Sequence, residues 1–561
     1  MAAAPRPQVR HMRQVLLWPL RLMLSAEAQA SGRSPWQLLR DEGDASPWRE
    51  VVDEFTGAAG TFQERHYNEF VTFLPYVQRF LYGEGRAQRV GEGMPGGRDA
   101  DAVGAPMRVF RRRDIAAVRL RARPGAEAIE LRVVHIDLYF FFDVDVVLLN
   151  VELSASGLAL ETAQDVLYRF GRGYPAGWDA DGQALHSMAE VQWLDAAGQV
   201  LAASDTSDRD TFLAHVAEHR APRIAAHWAH VLRPLVPHHS AEPGALRFRQ
   251  IEYYRMPMMA YLALDDPRAL TRADFVRLGL VTGAGSPDQG PVDGLPCAEQ
   301  HVADFEARFC YDRFWSDGGA APNTRYLCSG HALVVVGSAA SPFFACADRG
   351  VLAQFRHQHF ILFLIVHFQK ASLLMFSDRL ADALRRLDIS RPESVRQFKR
   401  TIRSTFEAFL RFTHRYWFHE ISEQAQVRAL FQMCSRHLGL DPLYAEVKER
   451  IGEMNDYLDA DSLRRQANTV VRLTVVTILG LIGTVTTGFL GMNLIAEADA
   501  PMARRVLIFA GVFIVTLLLT AYTINKSKGL SDFLDALSDD RMSFWNRVKI
   551  FVAIWRPGPR D

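Results

Sequence analysis

The sequence predicts an α+β membrane protein with three parts: an N-terminal cytosolic α/β domain, a helical stalk with one long helix, and a C-terminal two-helix transmembrane hairpin. Three observations predict it. Strand patterns crowd residues 108–153. From Val351 onward apolar residues recur at helical spacing. Near the C-terminus two long stretches carry no charge.

The uncharged stretches are the strongest signal. Leu473–Ala496 contains 24 consecutive residues without Asp, Glu, Lys or Arg. As a helix it extends roughly 36 Å, against a bilayer core of about 30 Å. After Glu497–Arg505, Val506–Asn525 adds another 20 such residues. Buried helices of soluble proteins seldom run this long without a charge. The two stretches hold 44 of 561 residues, so the mean hydropathy of −0.05 conceals them.

Composition excludes several classes. Lys+Arg and Asp+Glu are both 64, so the net charge is zero and no nucleic-acid partner is expected from bulk charge. Five cysteines without a C-x-x-C argue against a disulfide framework and a zinc ribbon. No G-x-S-x-G, Walker or Rossmann pattern occurs, so no enzyme activity and no cofactor are expected. Cys328-x-x-His331 with Cys310 or Cys346 is not a closed zinc spacing. His357, His359 and His367 read as core or surface histidines.

Along the chain, Tyr67–Tyr82 has a helical pattern and Gly91–Gly97 breaks it. Ala117–Arg123 alternates, Pro124-Gly125 turns, and Ile129–Leu153 is rich in strand formers. Leu138–Phe142 reads as a strand buried on both faces, and Glu161–Phe170 as a helix. Gly283–Pro296 reads as a linker and His331–Gly337 as a strand. Val351–Leu387, Pro392–His419 and Ser422–Leu438 carry helical spacing. Phe360–Phe368 is too short to span and reads as core helix. Val15–Leu24 is apolar but short, and Pro19 and Arg21 interrupt it. It makes a poor signal peptide, and an amphipathic or membrane-surface helix fits it as well.

The expected domains are therefore 1–350, 351–472, a hairpin over 473–525 (spans at about 473–491 and 506–525), and a tail over 526–561. Arg541–Trp555 in that tail has the pattern of an interfacial amphipathic helix. Without an export signal both termini are expected in the cytoplasm. Arg464, Arg465, Arg472, Lys526 and Lys528 flank the spans on that side, and Arg504 and Arg505 in the loop weaken the signal.

The helix before the first span is predicted to start at Asp441 (cap) and Pro442 (first turn). Leu443, Val447, Ile451, Met454 and Leu458 form its stripe, and no proline interrupts it before the end of the span. At about 100° per residue, Thr474, Thr477, Leu481, Thr484 and Gly488 share a stripe about 80° wide. Hydroxyls, one apolar constriction and one close-approach point suit a narrow neutral pore, although Thr and Gly also line helix contacts. Val485, Ile478, Phe489 and Ile482 lie beside the stripe, placed to pack on a neighbour.

At the end of the first span the chain reads Phe489-Leu490-Gly491-Met492-Asn493. This Gly-Met-Asn, placed at the outer end of the first of two C-terminal spans and after a long helix, resembles the CorA family of divalent-cation transporters and channels over about residues 440–528. The resemblance implies a homopentamer in the inner membrane, with the first spans lining the pore. It makes Gly491, Met492 and Asn493 the entrance filter. A ring of neutral amide oxygens suits Mg²⁺, which keeps its waters. The expected function is divalent-cation transport, Mg²⁺ foremost. The alternatives are Zn²⁺, Co²⁺ or Ni²⁺ transport, or a non-conducting, membrane-anchored interaction or sensor protein. The family also implies regulatory acids near the stalk axis. Asp456 stands 28 residues before Thr484, and Asp459 and Asp461 are weaker candidates. Glu497 and Asp499 in the connecting loop are placed to attract cations. The expected partners are other copies of the chain, the transported ions and membrane lipid. Leu490 stands where many members carry an aromatic, and the soluble part is longer than in compact members.

Overall fold

The computed structural model describes residues 7–51, 67, 70–83, 107–252, 254–284, 297–388, 390–491 and 501–525. The chain divides into two compact units, Met1–Met454 and Asn455–Asp561.

In the first unit the described residues contribute fourteen strands to one sheet. They are β1 (Gln8–Leu24), β2 (Trp48–Val51), β3 (Met107–Arg112), β4 (Ala117–Arg121), β5 (Ile129–Phe141), β6 (Val146–Ala159) and β7 (Glu190–Leu194). There follow β8 (Val200–Ala203), β9 (Val236–Pro237), β10 (Leu246–Gln250), β11 (Met258–Leu264), β12 (Cys310–Tyr311), β13 (Arg325–Cys328) and β14 (Ala332–Ser338). The main path runs β12-β13-β14-β11-β1-β6-β5-β4-β7-β8. Only β11 with β14 and β9 with β10 pair in parallel, which makes the layout α+β.

The expected helix at Val15–Leu24 is instead the second half of β1, at the centre of the sheet. Burial on both faces removes the alternation that marks a half-exposed strand. The interrupting Pro19 fits because of where the ladder changes partner. On one side β1 pairs with β6 throughout; on the other it pairs with β11 to Leu16 and with β10 from Leu20. Leu17 N–H points to that second side, toward Pro257 O, so Pro19 two residues on lacks its N–H at the gap.

Two apolar layers follow from the period of two. Met12, Leu16, Leu138, Leu149, Val151 and Leu262 point into one core, which the helices Leu160–Arg169 and Ala226–Leu232 cover. Their neighbours Val15, Leu17, Tyr139, Phe141, Leu148 and Tyr261 are equally buried on the opposite face. There the helix Phe360–Arg385 packs on β1 and β6, with Phe141 and Phe368 stacked at 3.9 Å. Leu138–Phe142, the strand Ala332–Ser338 and the helix after Glu161 thus stand where the pattern put them. In Tyr67–Tyr82 the described residues are helical at 67 and 70–72 and again over Pro75–Tyr82, with a break at Phe73-Leu74 ahead of the proline.

Helices Pro392–Tyr416 and Ala425–Leu438 complete this layer. Gly439, at φ 64°, ends the second of them with its N–H on the Arg436 and Ser435 carbonyls. A glycine reaches this conformation without Cβ strain. The Gly439 carbonyl then accepts from Leu443 N–H, so the next helix starts at Leu440, ahead of the expected Asp441 cap. That helix runs over Leu440–Gly491, 52 residues. Leu440, Val447 and Ile451 are buried in the first unit. The second unit holds the rest of it and the helix Met502–Asn525.

Candidate functional site

Among the described residues two helices are long and apolar enough to cross a membrane, by length and composition only, Val351–Arg385 and Met502–Tyr522. Their surroundings differ. The most apolar window of the first is 83% buried against the sheet and its neighbours, while that of the second is 0% buried. Leu518, Leu519 and Val515 stand open. Gly480–Phe489 is a shorter apolar stretch at the end of the long helix.

The expected pore stripe divides as follows. Thr477, Leu481, Thr484 and Gly488 are all exposed. Thr474 lies in the helix, at a position whose side chain is outside the described ones. Ile482 and Thr486 are buried, and Ile478 is half-buried. Val485 and Phe489, which lie beside the stripe, are exposed. The buried face is centred between Ile482 and Thr486, roughly 140° around the helix from the stripe.

The threonine hydroxyls are oriented by their own helix. Thr484 Oγ1 donates to Gly480 O at 2.9 Å and Thr487 Oγ1 to Gly483 O at 2.9 Å. On the buried face Thr486 Oγ1 donates to Ile482 O at 2.7 Å. A hydroxyl whose proton is spent on the i−4 carbonyl keeps its lone pairs for an outside donor. Thr484 therefore offers an acceptor, the polarity that hydration waters around a cation seek.

Gly491 ends the long helix and is exposed. Met492, Asn493, Glu497 and Asp499 lie outside the described residues. Asp456 is exposed on the long helix; Asp459 and Asp461 are on the same helix, with side chains outside the described ones. Gly283–Pro296 falls outside after Ala284, and the amphipathic tail segment falls outside entirely.

Among the described residues no three His, Cys, Asp or Glu side chains form a group able to hold a metal ion. Cys328 pairs with a residue the spacing did not single out: its Sγ lies 3.1 Å from Cys434 Sγ, both fully buried. Contact with Cys328 and burial push the Cys434 thiol well above its ordinary range. His359 and His367 are core histidines. Burial lowers His359 to about 4, and His367, also held well below 6.5 by burial, has Nε2 3.1 Å from Gly330 O.

Sequence reasoning missed the buried charged groups in the sheet, the one around Glu152 among them. Glu152 pairs with Arg13 on β1, and Arg356 Nε lies 3.4 Å away, in a π-helical turn at Phe355–His359.

Compared with models of known protein families, with curated proteins and with solved structures, the chain matches none.

Proposed function

We propose that this protein is a CorA-like divalent-cation channel or transporter of the inner membrane, Mg²⁺ foremost, built as a homopentamer. The carrying observation is the long helix beyond Gly480. Its Thr477-Leu481-Thr484-Gly488 stripe stays exposed while Ile482 and Thr486 on another face are buried. A helix with one packed face and one open, hydroxyl-bearing face supports a pore-lining role once copies assemble. The entirely exposed apolar window of Met502–Tyr522 supports an outer, lipid-facing place for that helix.

In this reading Gly491-Met492-Asn493 presents a ring of amide oxygens to the hydrated ion at the entrance. Thr484 supplies further acceptors and Leu481 a dry constriction. The driving force is the ion gradient and the membrane potential, worth about 2.3 kcal/mol per charge per 100 mV. Asp456, Asp459 and Asp461 would bind ion near the stalk axis, and Glu497 and Asp499 would concentrate cations outside. Both termini then face the cytoplasm.

Uptake of Mg²⁺, Zn²⁺, Co²⁺ and Ni²⁺ into liposomes carrying the purified chain tests this. Mg²⁺ flux is expected for the wild type and a loss of at least about tenfold for Asn493→Ala, a barrier change near 1.4 kcal/mol. Flux of Zn²⁺, Co²⁺ or Ni²⁺ without Mg²⁺ selects the related transport reading. No flux of any of them, or a monomer in mild detergent, sinks the channel and leaves the anchored interaction protein, which the 454-residue first unit favours.

A further inference from the structure

A cleft of about 410 Å³ opens in the first unit, far in sequence from the apolar helices. Its walls are the end of β4 with Arg123 and Pro124, the end of the helix Leu160–Arg169, and the loop around Leu185 and His186. The volume is that of an ordinary small-molecule site.

Its polar groups converge and are held. Tyr168 Oη lies 2.5 Å from His186 Nδ1. Burial, together with Arg172 and Arg169, lowers the His186 pKa, which favours the neutral ring. A neutral ring that accepts the Tyr168 hydroxyl proton at Nδ1 carries its own proton on Nε2, free to donate to a ligand. The backbone of His186 sits in the left-handed region at φ 60°, a conformation that strains an L-residue. Tyr168 is fixed from two sides. Its carbonyl accepts from Arg172 Nη2 at 2.8 Å, and the same guanidinium lies 5.1 Å from its ring centre. Gly283 passes so close that a Cβ there would stand 3.0 Å from Tyr168 Cδ1.

Two guanidiniums, Arg123 and Arg169, line the cleft. Arg123 Nη2 and Arg169 Nε share one carboxylate, Asp165, at 3.4 and 3.6 Å. Asp179 Oδ1 is already occupied by the amides of Asp181 and Gln183. Leu185, Pro124 and the Tyr168 ring supply an apolar side.

We propose that this cleft binds a small organic oxyanion, with its charged end toward Arg123, Arg169 and His186 Nε2 and its apolar end against Leu185 and Tyr168. Arginine forks match carboxylate and phosphate oxygens. The inference is independent of conduction, because it concerns the first unit alone.

Isothermal titration of the detergent-solubilised full chain with phenyl phosphate, inorganic phosphate and phenol tests it. Phenyl phosphate should bind saturably, and the other two at least about tenfold more weakly. Arg169→Gln should weaken phenyl phosphate by about tenfold or more. Leu185→Glu, at a position 39% exposed, places a like charge at the mouth and should do the same without touching the core. If Arg169→Gln fails to fold, Leu185→Glu decides. Absent saturable binding, equal affinity in Leu185→Glu, or equal affinity for inorganic phosphate overturns the proposal.

Discussion

Two helices of this chain are long and apolar enough to cross a membrane and have opposite surroundings. Val351–Arg385 and Met502–Tyr522 reach hydropathies of 1.7 and 2.1, yet one is mostly buried and the other is bare. The first carries its own polar contacts to the sheet: Arg379 meets Asp145, Lys370 meets Glu252, and Arg21 meets Asp378 and Asp382. The second has no acidic or basic residue after Arg505. Hydropathy therefore marks the two helices alike, and the charges along them mark the one that the sheet covers.

The sharpest way to break this comparison is one substitution made in both helices. Leu364→Arg, at a fully buried position, should abolish folding of the first unit, because the guanidinium has no partner there. Leu518→Arg, 64% exposed, should leave the thermal unfolding of the first unit unchanged. It should instead lower membrane insertion, by about 2.5–3.5 kcal/mol. Thermal melts and alkaline extraction of membranes read the two effects. Equal damage to both measurements from either change would end the distinction.

Acid comes next. His331, His227 and His359 are lowered by burial from 6.5 to about 3, 3 and 4. Their neutral forms are favoured in the folded state. Their contribution is thus complete above pH 6.5 and is lost as pH falls toward 3–4, by up to about 1.4 kcal/mol per pH unit for each group. All three belong to the first unit, so urea midpoints of its near-ultraviolet signal should fall from pH 6.5 to pH 5. A flat profile, or one that a His359→Gln variant leaves unaltered, would contradict that burial.

A smaller effect sharpens the comparison at the entry to the long helix. Gly439→Ala should cost about 1 kcal/mol, since alanine at φ 64° is strained. Gly452→Ala, in mid-helix with open space around it, should stabilise by about 0.5–1 kcal/mol. Opposite signs in denaturant midpoints are the expected result, and the same sign would mean the break at Gly439 is absent.

Strands with one polar face, such as Ala117–Arg121, were legible because alternation survives in them. β1 was not, since a strand covered on both faces is apolar in every register and resembles a short buried helix. The helices between Val351 and Gly491 were legible from spacing, and the last of them from the absence of proline after Pro442. The arginine–glutamate group at Glu152 was not, because partners 139 residues apart meet only when β1 lies beside β6.

By itself the sequence determined the α+β layout, the long uninterrupted helix and the uncharged stretches, because these depend on local periodicity and local charge. Tertiary structure decided which apolar helix the sheet would cover. It also put Ile482 and Thr486 on a buried face of the long helix. Those choices depend on which neighbour arrives at which side of a helix. Periodicity marks the faces of a helix and leaves open which of them the neighbour covers.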